Sequence, residues 1–165
     1  MKRALRLLAA GLLAAAVSIS VWQVSPLAKT NTPSAPVLPA SIQGLKLSQE
    51  NVSKTLAEGR RTLYSDGIWL YSLRQGKELM ATLEVVHFKS DAPWKSQSFD
   101  LSLANQLGGS VPAVLRLRGR PVYVSTTRGL ELLTWFKNGY LNILAVRSNY
   151  TAPKTLLRDV IEAAP

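Results

Sequence analysis

From Ile68 to Arg147 apolar side chains recur at every second position in short runs, and dipeptides rich in glycine or asparagine separate the runs. Period two is the mark of strands that bury a face. The best-patterned stretch is Val122 to Val146, where Leu130–Lys137 and Tyr140–Arg147 flank Asn138-Gly139. Both of these residues accept positive φ, so the pair suits a two-residue hairpin loop. Such a loop fixes the register: Lys137 faces Tyr140, Phe136 faces Leu141, Trp135 faces Asn142, Thr134 faces Ile143 and Leu133 faces Leu144. One sheet face then carries Leu130, Leu132, Phe136, Leu141, Ile143 and Ala145. The other carries Leu133, Trp135, Tyr140, Leu144 and Val146, with Glu131, Lys137 and Asn142 interspersed. Both faces are apolar enough to need cover. Either the chain's own helices pack on both, or one presents an apolar groove near Trp135 and Tyr140.

Further strands are expected at Ile68–Arg74 and Lys77–Phe88, with Gln75-Gly76 as their loop. That loop pairs Ile68 with Leu83, Leu70 with Ala81 and Ser72 with Leu79. It gathers Ile68, Leu70, Leu79, Ala81, Leu83 and Val85 on one face and leaves Trp69, Tyr71, Met80, Thr82 and Glu84 on the other. Pro112–Arg118 and Pro121–Thr126 read as strands joined at Gly119-Arg120, and a turn at Thr127–Gly129 leads into Leu130. Three helices complete the pattern. Ser48 caps one running to Glu58, with Val52 and Leu56 four apart. Ser98–Leu107 forms a second, with Phe99, Leu103 and Leu107 on one stripe and Gly108-Gly109 as its stop. Ala152–Ala163 forms the last, with Thr151 as N-cap and Leu156, Leu157, Val160 and Ile161 on one face. The expected fold is α+β: an antiparallel meander of about six strands with two or three packed helices.

Residues 1–24 break the alternation. Lys2, Arg3 and Arg6 precede an apolar run from Leu7 to Val24, the n-region and h-region of an export leader. Two outcomes stay open. The leader is cleaved, with Ala16-Val17-Ser18 as the best small-x-small site, or it is retained as a membrane-anchoring transmembrane helix. Eighteen residues reach about 27 Å against the ~30 Å hydrocarbon core, and Trp22 would sit at the interface. Either outcome puts the rest of the chain outside the cytoplasm, at the cell membrane or secreted. Residues 25–41, with Pro26, Pro33, Pro36 and Pro39, read as a Pro-rich linker, and residues 42–165 as one domain.

The formal charge of +10 is partly a property of the leader and linker. Four of the 20 basic residues (Lys2, Arg3, Arg6 and Lys29) precede Ile42, which leaves 16 basic against 10 acidic in the domain, a net +6. This excess suits an anionic envelope partner, or a protein one, while export removes nucleic acid from reach. Arg116, Arg118 and Arg120 alternate, as a basic row along one strand face would. They are either a solvated edge that discourages aggregation or a binding surface for an anionic polymer or headgroup. No cysteine is present, which excludes disulfides and thiolate metal sites. No metal or cofactor motif is found: His87 stands alone, Gly-x-Ser-x-Gly is absent, and Gly108-Gly109 lacks the Lys-Ser/Thr of a phosphate loop. No catalytic residue, cofactor or metal ligand is assigned. The candidate partner-binding surface is Trp135, Tyr140, Leu133 and Leu144 with Arg116, Arg118 and Arg120.

The run Gly119-Arg120-Pro121-Val122-Tyr123-Val124, then Leu133-Thr134-Trp135-Phe136-Lys137-Asn138-Gly139-Tyr140, then an apolar strand and a final helix containing Leu-Leu, resembles small extracytoplasmic domains of bacteria. It is similar to the sheet-plus-helix ending of sigma-factor-regulator and lipoprotein-carrier-like domains, and the resemblance implies a non-enzymatic role in the envelope. The functional expectation is a non-catalytic binding or sensory module. The alternatives are a small hydrolase-like enzyme, with a site around His87, Asp91 and Asp100, and a structural subunit of a membrane complex.

Overall fold

The computed structural model describes residues 33–54, 65–88, 113–127, 129–147 and 154–165. Eight strands make one antiparallel sheet: β1 (Ser41–Ile42), β2 (Leu45–Glu50), β3 (Ser65–Gln75), β4 (Glu78–Phe88), β5 (Ala113–Leu117), β6 (Arg120–Thr127), β7 (Leu130–Lys137) and β8 (Tyr140–Arg147). Among the described residues the one long helix is α1 (Lys154–Ala163). The spatial order is β1-β2-β3-β4-β8-β7-β6-β5. Two four-strand meanders therefore meet at the β4–β8 pair, where Leu83 lies opposite Leu144 and Val85 opposite Asn142.

This corrects the expected α+β fold of six strands under two or three helices. β1 and β2 add to the sheet, and Ser48, read as a helix cap, lies inside β2 opposite Ser72 of β3. Leu45 and Leu47 alternate onto the core, and pairing with β3 outweighs the capping preference of Ser48. The Ser72 hydroxyl donates to the Glu50 carboxylate at 2.6 Å, fixing the strand's end. The remainder of that helix beyond Lys54, the helix expected at 98–107 and the N-cap Thr151 lie outside the described residues. No helix among the described residues is long and apolar enough to cross a membrane, so the expected transmembrane helix is not among the described elements. Residues 1–24 also fall outside them.

Asn138 (φ 51°) and Gly139 (φ 83°) form the β7–β8 loop, and all five predicted pairs are observed. The β3–β4 hairpin differs. Its loop is Gly76-Lys77, with Gly76 at φ 57°, and a register irregularity follows between Leu73 and Arg74. Ile68 lies opposite Val86 rather than Leu83, and Ser72 opposite Thr82 rather than Leu79. A displacement of three positions is odd, and an odd displacement exchanges the faces. Trp69, Tyr71 and Leu73 thus share a core with Ala81, Leu83 and Val85.

That core is completed by Leu133, Trp135, Leu144 and Val146 and sealed by Leu156, Val160, Ile161 and Ala164 of α1 and its C-terminal end. The opposite sheet face is buried as well, through Val86, Phe88, Leu132, Leu141 and Ile143. Polar ties fix where α1 lies. Gln43 in the β1–β2 turn donates to Asp159, and Arg118 in the β5–β6 turn pairs with Glu162 at 2.8 Å. In a flat sheet, seven spacings of ~4.8 Å would hold β1 and β5 about 34 Å apart. Asp159 and Glu162 are one helical turn, ~5 Å, apart. Two side chains cannot span the remainder, so the sheet is curled around α1.

Candidate functional site

The seven residues of the expected binding surface fall into two groups. Leu133, Trp135 and Leu144 belong to the core under α1, and Trp135 has 0% of its surface exposed. Tyr140 is half-buried beside them. Their cover is held by Lys137, whose Nζ donates to the carbonyls of Glu162 and Ala164, and by Asn142, whose amide donates to the carbonyl of Pro165 at 2.9 Å. Burial, reinforced by the nearby Arg120 charge, lowers the Lys137 pKa against the opposing pull of Glu162. Trp135 and Asn142 form a cross-strand pair whose indole N–H and amide oxygen are both buried without a partner among the described residues.

Arg116, Arg118 and Arg120 form the second group and stay at the surface, though not as a row. The turn is Arg118-Gly119, with φ of 49° and 79°, rather than Gly119-Arg120. Positive φ at both positions is what a type I′ turn requires. Arg116 on β5 lies opposite Pro121, and Arg120 on β6 opposite Leu117. Adjacent pairs along a ladder point to opposite faces, so Arg116 and Arg120 flank the hairpin from its two sides with Arg118 at the tip. All three are exposed. From residue 101 to residue 130 the chain has four arginines and no carboxylate. Glu162 answers Arg118 from α1, and Arg116 and Arg120 pair with no carboxylate among the described residues.

Among the described residues β5 is also the terminal strand of the sheet. Val114 and Leu115 are each 47% exposed, on opposite faces of a strand exposed along most of its length. Sequence pattern treats Val114 and Leu115 as ordinary core alternation, since strand order is not written in it. The charge signal of Arg116 was legible, and its apolar neighbours' exposure was not.

A different cluster lies across the ends of β3, β4 and β8. His87 Nδ1 contacts the Asp66 carboxylate at 2.5 Å, and its ring packs edge-on against Tyr140, centroids 4.7 Å apart. Tyr140 in turn leans on Trp69 at 6.4 Å, and Gly67 is required there because a Cβ would overlap the Trp69 indole. Asp66 lies beside His87; Asp91 and Asp100, the carboxylates expected near it, lie outside the described residues. An Asp–His pair can orient an imidazole. No group of three or more His, Cys, Asp or Glu suited to a metal occurs among the described residues.

The chain matches no protein-family model, no curated protein and no solved structure.

Proposed function

We propose that this protein is a non-catalytic binding module that works outside the cytoplasm and engages an anionic protein partner through the β5–β6 hairpin. The observation that carries the reading is the hairpin itself: exposed Val114 and Leu115 set among Arg116, Arg118 and Arg120 without a carboxylate of its own. Apolar area supplies affinity and the unanswered positive charge supplies steering and choice of partner. The export-type leader, and the resemblance of the stretch from Gly119 through the final helix to extracytoplasmic domains, favour the same setting.

Fluorescent polyglutamate, titrated with the full chain at low salt, tests this. Arg116→Glu/Arg120→Glu should weaken binding by about tenfold or more, whereas reversal of two exposed lysines elsewhere, Lys46→Glu/Lys77→Glu, should leave most of it. Equal losses from the two pairs would mean that net charge alone binds the probe, and the reading fails.

A catalytic reading has one specific observation in its favour, the Asp66–His87 pair. His87→Ala separates the two. Polyglutamate binding by the folded variant should be unchanged, and a hydrolytic activity in the wild type that His87→Ala abolishes would favour the enzyme.

A further inference from the structure

Resting on that reading, we propose that β5 receives an extended segment of the partner by strand addition, a segment whose positions alternate between acidic and apolar. The backbone of β5 is arranged for this. In a two-residue hairpin the residues flanking the loop exchange both of their hydrogen bonds, so Leu117 bonds Arg120. Leu115 with Val122 and Ala113 with Val124 continue the bonded pairs. Val114 and Arg116, lying between them, direct their N–H and C=O groups away from β6. Among the described residues no strand pairs with these four groups, and they line an exposed edge at the end of the sheet. Antiparallel addition of one strand would engage all four.

The side chains define the occupant. Val114 and Arg116 stand on one face, Ala113, Leu115 and Leu117 on the other. An incoming strand meets apolar side chains at Ala113, Leu115 and Leu117 and a guanidinium at Arg116. A carboxylate opposite Arg116 completes a cross-strand ion pair, and apolar residues opposite Leu115 cover its exposed surface. A second copy of this chain fits worse. Two β5 strands laid antiparallel would put two Arg116 side chains into one short seam with an arginine-bearing turn at each end of it, and both chains carry net positive charge. Like charge at an edge discourages self-pairing while leaving an acidic strand welcome.

The test uses the ¹⁵N-labelled full chain and a synthetic peptide of alternating Glu and Val, about seven residues long, as a strand of this length requires. A second peptide has the same sequence with every other amide N-methylated, and a third has Lys for Glu. In the free protein the Val114 and Arg116 amides should exchange quickly and those of Leu115 and Leu117 slowly. Saturating Glu-Val peptide should slow Val114 and Arg116 by at least about tenfold, and the N-methylated and Lys-Val peptides should not. Val114→Pro removes one outward N–H and none of the bonds to β6. It should cut affinity about tenfold with the melting temperature unchanged.

If the N-methylated peptide binds as well as its parent and binding still depends on Arg116 and Arg120, strand addition is wrong and the binding-module reading stands. If no acidic peptide binds, or binding ignores Arg116 and Arg120, both fail. Protection of Val114 and Arg116 that rises with protein concentration in the absence of peptide would make the occupant a second copy and overturn the proposal.

Discussion

The two ends of the curled sheet are tied to the same helix, yet one is closed and the other open. At the β1–β2 end the edge strand is two residues long. The chain before it lies along the core: Ala35 and Leu38 pack against the cluster, the Leu47 N–H donates to the Ala40 carbonyl, and the Tyr71 hydroxyl donates to the Pro36 carbonyl at 3.1 Å. At the β5 end nothing comparable covers Val114 or Leu115 among the described residues. Proteins ordinarily blunt such edges by cover, by charge or by shortness. Here the first end uses cover and shortness, while the second keeps only Arg116. A strand edge guarded by charge alone stays available to a partner of opposite charge.

The contrast can be broken at three places. The core that both ends share should be the most sensitive. Trp135→Ala empties a fully buried indole site beneath α1 and should cost about 3–5 kcal/mol in urea unfolding. A loss below about 1 kcal/mol would mean that α1 does not hold the two ends together. The closed end comes next. Tyr71→Phe removes the bond to Pro36 and should cost about 1 kcal/mol, with faster hydrogen exchange at Leu47. Burial, with help from Tyr140, raises the Tyr71 pKa above its usual 10.0. The folded state therefore keeps a proton that the unfolded state loses, so stability is intact below pH 10 and declines as pH rises above it. Tyr71→Phe should flatten that decline. The open end should be the least sensitive: Leu115→Ser is expected to shift stability by no more than about 0.5 kcal/mol. A loss several times larger would show that Leu115 is a core residue and that the end is not open.

The two long hairpins show how much could be read beforehand. Asn138-Gly139 places positive φ at both loop positions, which leaves one loop length and one register, and Trp135 opposite Asn142 followed directly. At β3–β4 the chain offers Gln75, Gly76 and Lys77, and a loop of Gln75-Gly76 is as acceptable locally as Gly76-Lys77. The irregularity beyond Leu73 has no local signal either. Ser72, Thr82 and Glu84 are buried along with the apolar residues of this hairpin, so polarity marked no solvent face that could exclude the inverted assignment. Asp66 was missed for a related reason. It is 21 residues from His87 in the chain, and only the β3–β4 register brings the two together.

By itself the sequence determined the strand-rich pattern, the β7–β8 register, the amphipathic final helix and the basic, acid-free stretch around Arg116, because each follows from neighbours within a few residues. The tertiary structure alone decided that β4 joins β8, that β5 ends the sheet, and that Trp135 is sealed while Val114 and Leu115 are exposed. These depend on which strands meet across long separations. That choice is made by total burial over the curled sheet, and no short window of residues encodes it.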